Sequence, residues 1–112
     1  MEKYKIRLTD RAKFDLDNIA TFLREDSERY AAHVYNEIIK RINTLKRIPR
    51  RYPYVQNEQL QKLGYRGMFV FSYIVVYEVI DEENGVKILN ILPARLGMDY
   101  IADIIDRNEQ TT

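Results

Sequence analysis

A chain of 112 residues, 46 % apolar and 31 % charged, can bury one core and is sized for one domain, 1–112. The absence of cysteine excludes disulfides, thiol nucleophiles and thiolate zinc sites, and it fits a reducing compartment. The net charge of +1 excludes a uniformly basic protein, and no apolar run approaches the roughly 20 residues of a membrane helix.

The opening residues MEKYKIRLTD alternate polar and apolar side chains, which reads as a strand over Tyr4–Leu8 and not as a signal peptide, so a cytoplasmic protein is expected. Thr9 or Asp10 can cap a helix over Arg11–Arg24, whose apolar positions are Ala12, Leu16, Ile19, Ala20 and Leu23. Ser27 can cap a second helix, with a seam of Ala31, Tyr35, Ile38, Ile42 and Leu45, and Pro49 ends it.

From Leu63 the period becomes two. Leu63–Val70 and Tyr73–Ile80 read as strands joined by a tight turn at Phe71-Ser72. DEENG (Asp81–Gly85) is a polar turn, Val86–Leu92 a further strand closed by Pro93, and Asp99–Arg107 a short amphipathic helix. Residues 108–112 (NEQTT) read as a frayed tail. The order β-α-α-β-β-β-α predicts an α+β fold, an antiparallel sheet with the N-terminal helical hairpin packed on one face. Part of the apolar sheet face of Phe69, Tyr73, Val75 and Tyr77 is expected to stay exposed for a partner.

The charge is unevenly placed. Residues 40–66 carry eight lysines and arginines against Glu58 alone, whereas 67–112 carry three against eight acids. A basic middle can engage an anionic partner on a nearly neutral protein. His33 is the only histidine and reads as a surface residue of the second helix, which excludes a two-histidine acid–base pair and a histidine metal cluster. No glycine loop matches a phosphate cradle, no cofactor is implied, and Asp99, Asp103 and Asp106 read as a solvated helix face rather than a metal site.

The candidates that remain are cationic. Arg50, Arg51 and Lys62 flank the first hairpin, Arg66 lies in its first strand, Arg95 follows the last strand, and Tyr100 comes five residues later. Guanidinium forks bind phosphate oxygens and a tyrosine can stack or pass a proton, so the set could hold a phosphodiester. Two readings stay open at this point, the other being helix-end charges with Arg95 paired to Asp99 or Asp103.

The ordered set TDRAKFDLDNIATFL, LKRIPRRYP, GYRGMFVFSYIVVYEV and VKILNILPAR resembles the RelE/ParE superfamily of type II toxin–antitoxin toxins across nearly the whole chain. The resemblance implies a cognate antitoxin bound in a hetero-oligomer. For RelE-like members it implies metal-independent mRNA cleavage at the ribosome, and for ParE-like members inhibition of DNA gyrase by protein binding. Carried over, Arg66 and Arg95 would steady the phosphate and its pentavalent charge, Tyr100 would match the late tyrosine, and Arg50, Arg51 and Lys62 would match the basic loop. The RelE-like reading is taken as the expectation, with the ParE-like gyrase inhibitor and a non-toxic antitoxin-binding relative as the alternatives. The near-neutral charge and Phe71-Ser72 in place of a turn glycine depart from its pattern.

Overall fold

This computed structural model describes residues 3–110. Strand β1 (Lys5–Leu8) leads into α1 (Asp10–Arg24), where the Thr9 hydroxyl accepts from the Ala12 amide at 3.0 Å and so satisfies a free N–H of the first turn. Ser27 caps α2 (Glu28–Asn43) in the same way through the Tyr30 amide at 3.1 Å. Helix α2 stops at Asn43, before Pro49 can end it, and tightens into a 3₁₀ turn over Thr44–Lys46. Ala12, Leu16, Ile19 and Ala20 of α1 are buried as expected. On α2 the seam is Ala31, Val34, Ile38 and Ile42, so Val34 replaces the expected Tyr35, which is exposed. Both follow Ala31 by about one turn, and the wholly apolar side chain takes the interior while tyrosine keeps its hydroxyl in water.

A short helix α3 (Glu58–Lys62), capped by the Asn57 side chain on the Leu60 amide, precedes the sheet, and Gly64 turns the chain with φ +80°. Hence β2 starts at Tyr65 (Tyr65–Val70), two residues after the expected Leu63. Val70 pairs with Tyr73 across the Phe71-Ser72 turn, and Phe71 adopts φ +52°, which leaves a bulky residue in the left-handed region. β3 is Tyr73–Ile80 and β4 Gly85–Pro93, after which α4 (Met98–Gln110) runs past the expected end at Arg107. Thr111 and Thr112 of the expected tail lie outside the described residues.

The α+β class holds. The four strands lie in the order β1-β4-β3-β2. β2, β3 and β4 are antiparallel, whereas β1 joins β4 in parallel, so the sheet is mixed at that edge. Between Val76 and Tyr77 the register slips past Leu89, a bulge that lets Ile88 and Ile91 face the helical hairpin while Leu89 and Leu92 face α4. Thus both sheet faces are covered: α1 and α2 pack on one, and Ile101, Ala102 and Ile105 of α4 seal the other with Val55 and Leu60. The expected open apolar face is therefore absent where it was placed. Tyr73, Val75 and Tyr77 are buried under the hairpin and only Phe69 is exposed.

Gly97 sets the entry of α4. Its φ of +84° and ψ of 149° lie near a region that side chains do not tolerate. Gly97→Ala is expected to cost about 1–2 kcal/mol in urea unfolding. An unchanged midpoint would show that the turn relaxes freely.

Candidate functional site

The segment RIPRRYPYV (Arg47–Val55) is fastened along the outer edge of β2. The Tyr77 hydroxyl donates to the Pro49 carbonyl at 2.8 Å, the Gly67 amide donates to Pro53 at 3.1 Å, and the Val55 amide donates to Tyr65 at 3.0 Å. Tyr54 makes an antiparallel bridge to Arg66. The segment thus blunts an open strand edge, after a turn at Pro49 that the Arg51 amide closes on the Ile48 carbonyl at 3.3 Å. It is a structural strip that carries charged and aromatic side chains.

Arg66 belongs to this strip. Its Nη1 donates to the Tyr52 carbonyl at 2.8 Å, and its guanidinium stacks 4.2 Å from the centroid of the Tyr54 ring. Arg41, which sequence reasoning did not single out, donates to the Tyr52 hydroxyl at 3.3 Å and to the Phe69 carbonyl at 3.4 Å. Its only sequence signal was membership of the basic middle.

Arg50 turns away to an ion pair with Asp81, whose other oxygen accepts from the Tyr4 hydroxyl at 2.9 Å. Hydrogen bonds with Tyr4 and Asp81 raise the Arg50 guanidinium, and those from Tyr4 and Arg50 hold the Asp81 carboxyl below its ordinary value. Lys62 pairs with Glu58 on α3 at 3.6 Å, both exposed. Arg51 stays exposed, 5.6 Å from the Tyr52 ring centroid.

Arg95 stands elsewhere. It lines a groove of about 510 Å³ between α1 and the end of the sheet, with Asp15, Phe22, Tyr73 and Leu92 among its walls. Arg66 is opposite Tyr77, whereas Arg95 follows Pro93, which is opposite Tyr73. At about 3.3 Å per residue those two levels lie roughly 13 Å apart, on strands that flank β3 on either side. Tyr100 is half exposed on α4, next to Ile101, which is packed on the other sheet face. Arg66, Arg95 and Tyr100 thus stand on three different elements, β2, the turn after β4, and α4.

The acidic face of α4 ties helices to each other: Asp99 accepts from Asn57 at 3.2 Å and Asp106 from Gln59 at 3.5 Å. Among the described residues no group of three or more His, Asp or Glu side chains is placed to hold a metal ion, and no helix is long and apolar enough to cross a membrane. His33 is exposed, its ring 5.5 Å from that of Phe71.

A four-stranded sheet with a helical hairpin on one face and a C-terminal helix on the other is the architecture of the RelE/ParE toxins. The chain resembles the chromosomal ParDE toxin–antitoxin system of P. aeruginosa (17 % identity, 81 % of this chain and 96 % of that one, TM-score 0.66). It also resembles the RelBE2 toxin–antitoxin complex of Mycobacterium tuberculosis (23 % identity, 83 % and 93 % covered, TM-score 0.61). A mutant of the E. coli toxin RelE in the free state gives 18 % identity, 94 % and 97 % coverage and a TM-score of 0.65. These likenesses show the fold. No curated protein sequence matches the chain. The model of the ParE toxins of type II toxin–antitoxin systems (parDE) matches residues 6–96, and the chain belongs to that family.

Proposed function

We propose that this toxin arrests growth by binding a protein target, DNA gyrase being the one its ParE-like character implies, and that a cognate antitoxin holds it inactive. The observation that carries this reading is the engagement of Arg66. One of its N–H groups donates to the Tyr52 carbonyl and its face lies against the Tyr54 ring, while its strand level is roughly 13 Å from that of Pro93, two residues before Arg95. Arg50 and Lys62 are likewise held by Asp81 and Glu58. The cleavage site expected from the sequence would set Arg66 and Arg95 on one scissile phosphate, with preorganised donors about 3 Å from the developing charge. The match to the ParE family points the same way, and the toxin–antitoxin complexes among the similar structures support an antitoxin partner.

The rival is mRNA cleavage at the ribosome through Arg66, Arg95 and Tyr100, and the RelE-type structures share its scaffold. Pulse labelling after induction without antitoxin separates the two. The proposal expects early DNA breaks and loss of DNA synthesis while translation continues. Early collapse of translation with cut mRNA would overturn it. Under the rival alone, Arg95→Ala should lower cleavage about 10²–10³-fold, the usual effect of deleting one transition-state donor.

A further inference from the structure

Five cations meet where α2 ends. Lys3, Lys40, Lys46, Arg47 and Arg51 line one depression of about 360 Å³, and no acidic residue shares its wall. They come from separate stretches of chain. Lys40 is on the last turn of α2, Lys46 ends the 3₁₀ turn, and Arg47 follows it. The Tyr4 amide donates to the Lys46 carbonyl at 2.9 Å, which draws Lys3 alongside, and the Arg51 amide donates to Ile48 at 3.3 Å, which folds Arg51 back.

The ion pairs among the described residues use Arg7, Arg41, Arg50 and Lys62, and none of these five. A helix C-terminus attracts cations, but it is equivalent to only about half a negative charge. Half a charge does not balance five. Such an uncompensated field repels itself, and it gains most when an anion with several charges enters.

We propose that this depression docks the phosphodiester backbone of duplex DNA, without reading its bases. Its wall carries Lys, Arg, Asn, Thr and Ile and no aromatic ring, and the Tyr52 ring nearby is already faced by Arg51. Single-stranded nucleic acid is usually held by base stacking on aromatic rings, which this wall lacks. Phosphate contacts alone suit a duplex, whose bases are turned inward. The proposal goes beyond the reading of the target and does not depend on it, because it concerns equilibrium binding by the purified chain.

The test is fluorescence anisotropy of a labelled duplex against the full chain, from 50 to 200 mM salt. Five phosphate contacts predict a slope of log affinity against log salt of about −4.5, or about 10²–10³-fold loss over that range. The triple variant Lys40→Gln, Lys46→Gln, Arg47→Gln should flatten the slope by about 3, whereas Lys13→Gln, exposed on α1 and outside the depression, should leave it unchanged. The triple exchange to the alternative cation (Lys40→Arg, Lys46→Arg, Arg47→Lys) should retain binding, which separates charge from loss of fold. Three results would each overturn the proposal: a slope near zero in the unmodified chain, a triple glutamine variant that binds as well as the unmodified chain, or polyglutamate or single-stranded RNA that outcompetes the duplex.

Discussion

Tyr77→Ala is expected to destabilise the fold by about 3–5 kcal/mol, the range for emptying a buried aromatic site. Tyr77 is fully buried in the middle of β3, against the helical hairpin, and its hydroxyl reaches the carbonyl of Pro49, which is itself buried. Burial raises the phenol above its ordinary value, so the hydroxyl remains a donor across the working pH range. Tyr77→Phe isolates the polar part. It keeps the ring and orphans the carbonyl, for about 1–3 kcal/mol. Because that bond anchors the start of the Arg47–Val55 strip, the phenylalanine variant should also be cut faster by protease within the strip than its global stability predicts. Urea unfolding with limited proteolysis checks both parts. A phenylalanine variant that matches the unmodified protein in both would show that the strip is held by its bonds to β2 alone.

The same tyrosine shows what could be read from the sequence. The period of 3–4 in α1 and α2 follows from which faces must be dry, and the structure keeps it, whereas Tyr73–Ile80 forms its strand with both faces covered and no alternation of burial. Tyr77 could be assigned to a sheet face. Its partner could not, since Pro49 lies 28 positions away and only the register of the loop brings it there. Helix α3 escaped notice because five residues are too few to show a period, although Asn57 three positions before Leu60 was a legible cap. The parallel seat of β1 was equally hidden: a lone N-terminal strand carries no mark of which neighbour it will join. The cationic residues were legible as a composition and not as a place. Arg50 and Arg51 are adjacent in sequence, yet one leaves for Asp81 and the other stays on the basic depression. Charge counts give no means of separating two such neighbours.

Asp15, a polar position of α1, carries the second large effect. Beyond the end of β1, β4 has no strand neighbour on that side, and α1 supplies the missing partners. The Thr9 hydroxyl donates to the Leu89 carbonyl at 3.0 Å, and Asp15 Oδ2 accepts from the Ile91 amide and from the Asn90 side chain, both at 3.0 Å. Asp15→Ala leaves two N–H groups of nearly buried residues without an acceptor and is expected to cost about 2–4 kcal/mol. Asp15→Asn should cost less than about 1 kcal/mol, since both bonds end on one oxygen and an amide oxygen can take both. The pH dependence separates the variants further. Burial raises the Asp15 carboxyl, outweighing the lowering by Ile91, Asn90 and Arg11. The folded protein therefore holds this proton after the unfolded chain has released it. The stability due to Asp15 is complete below the ordinary carboxylate value and declines as pH rises through the raised one. The Asp81–Arg50 pair has the opposite sense, present above the ordinary value and lost as pH falls through the lowered one. Because Asp15→Asn leaves that pair intact, the stability of the unmodified protein minus that of the asparagine variant reports Asp15 alone. Urea unfolding across the acid range should show this difference shrinking with rising pH from the ordinary carboxylate value and levelling off beyond the raised one. A difference that grew with pH would mean that the two hydrogen bonds, rather than burial, decide the charge of Asp15.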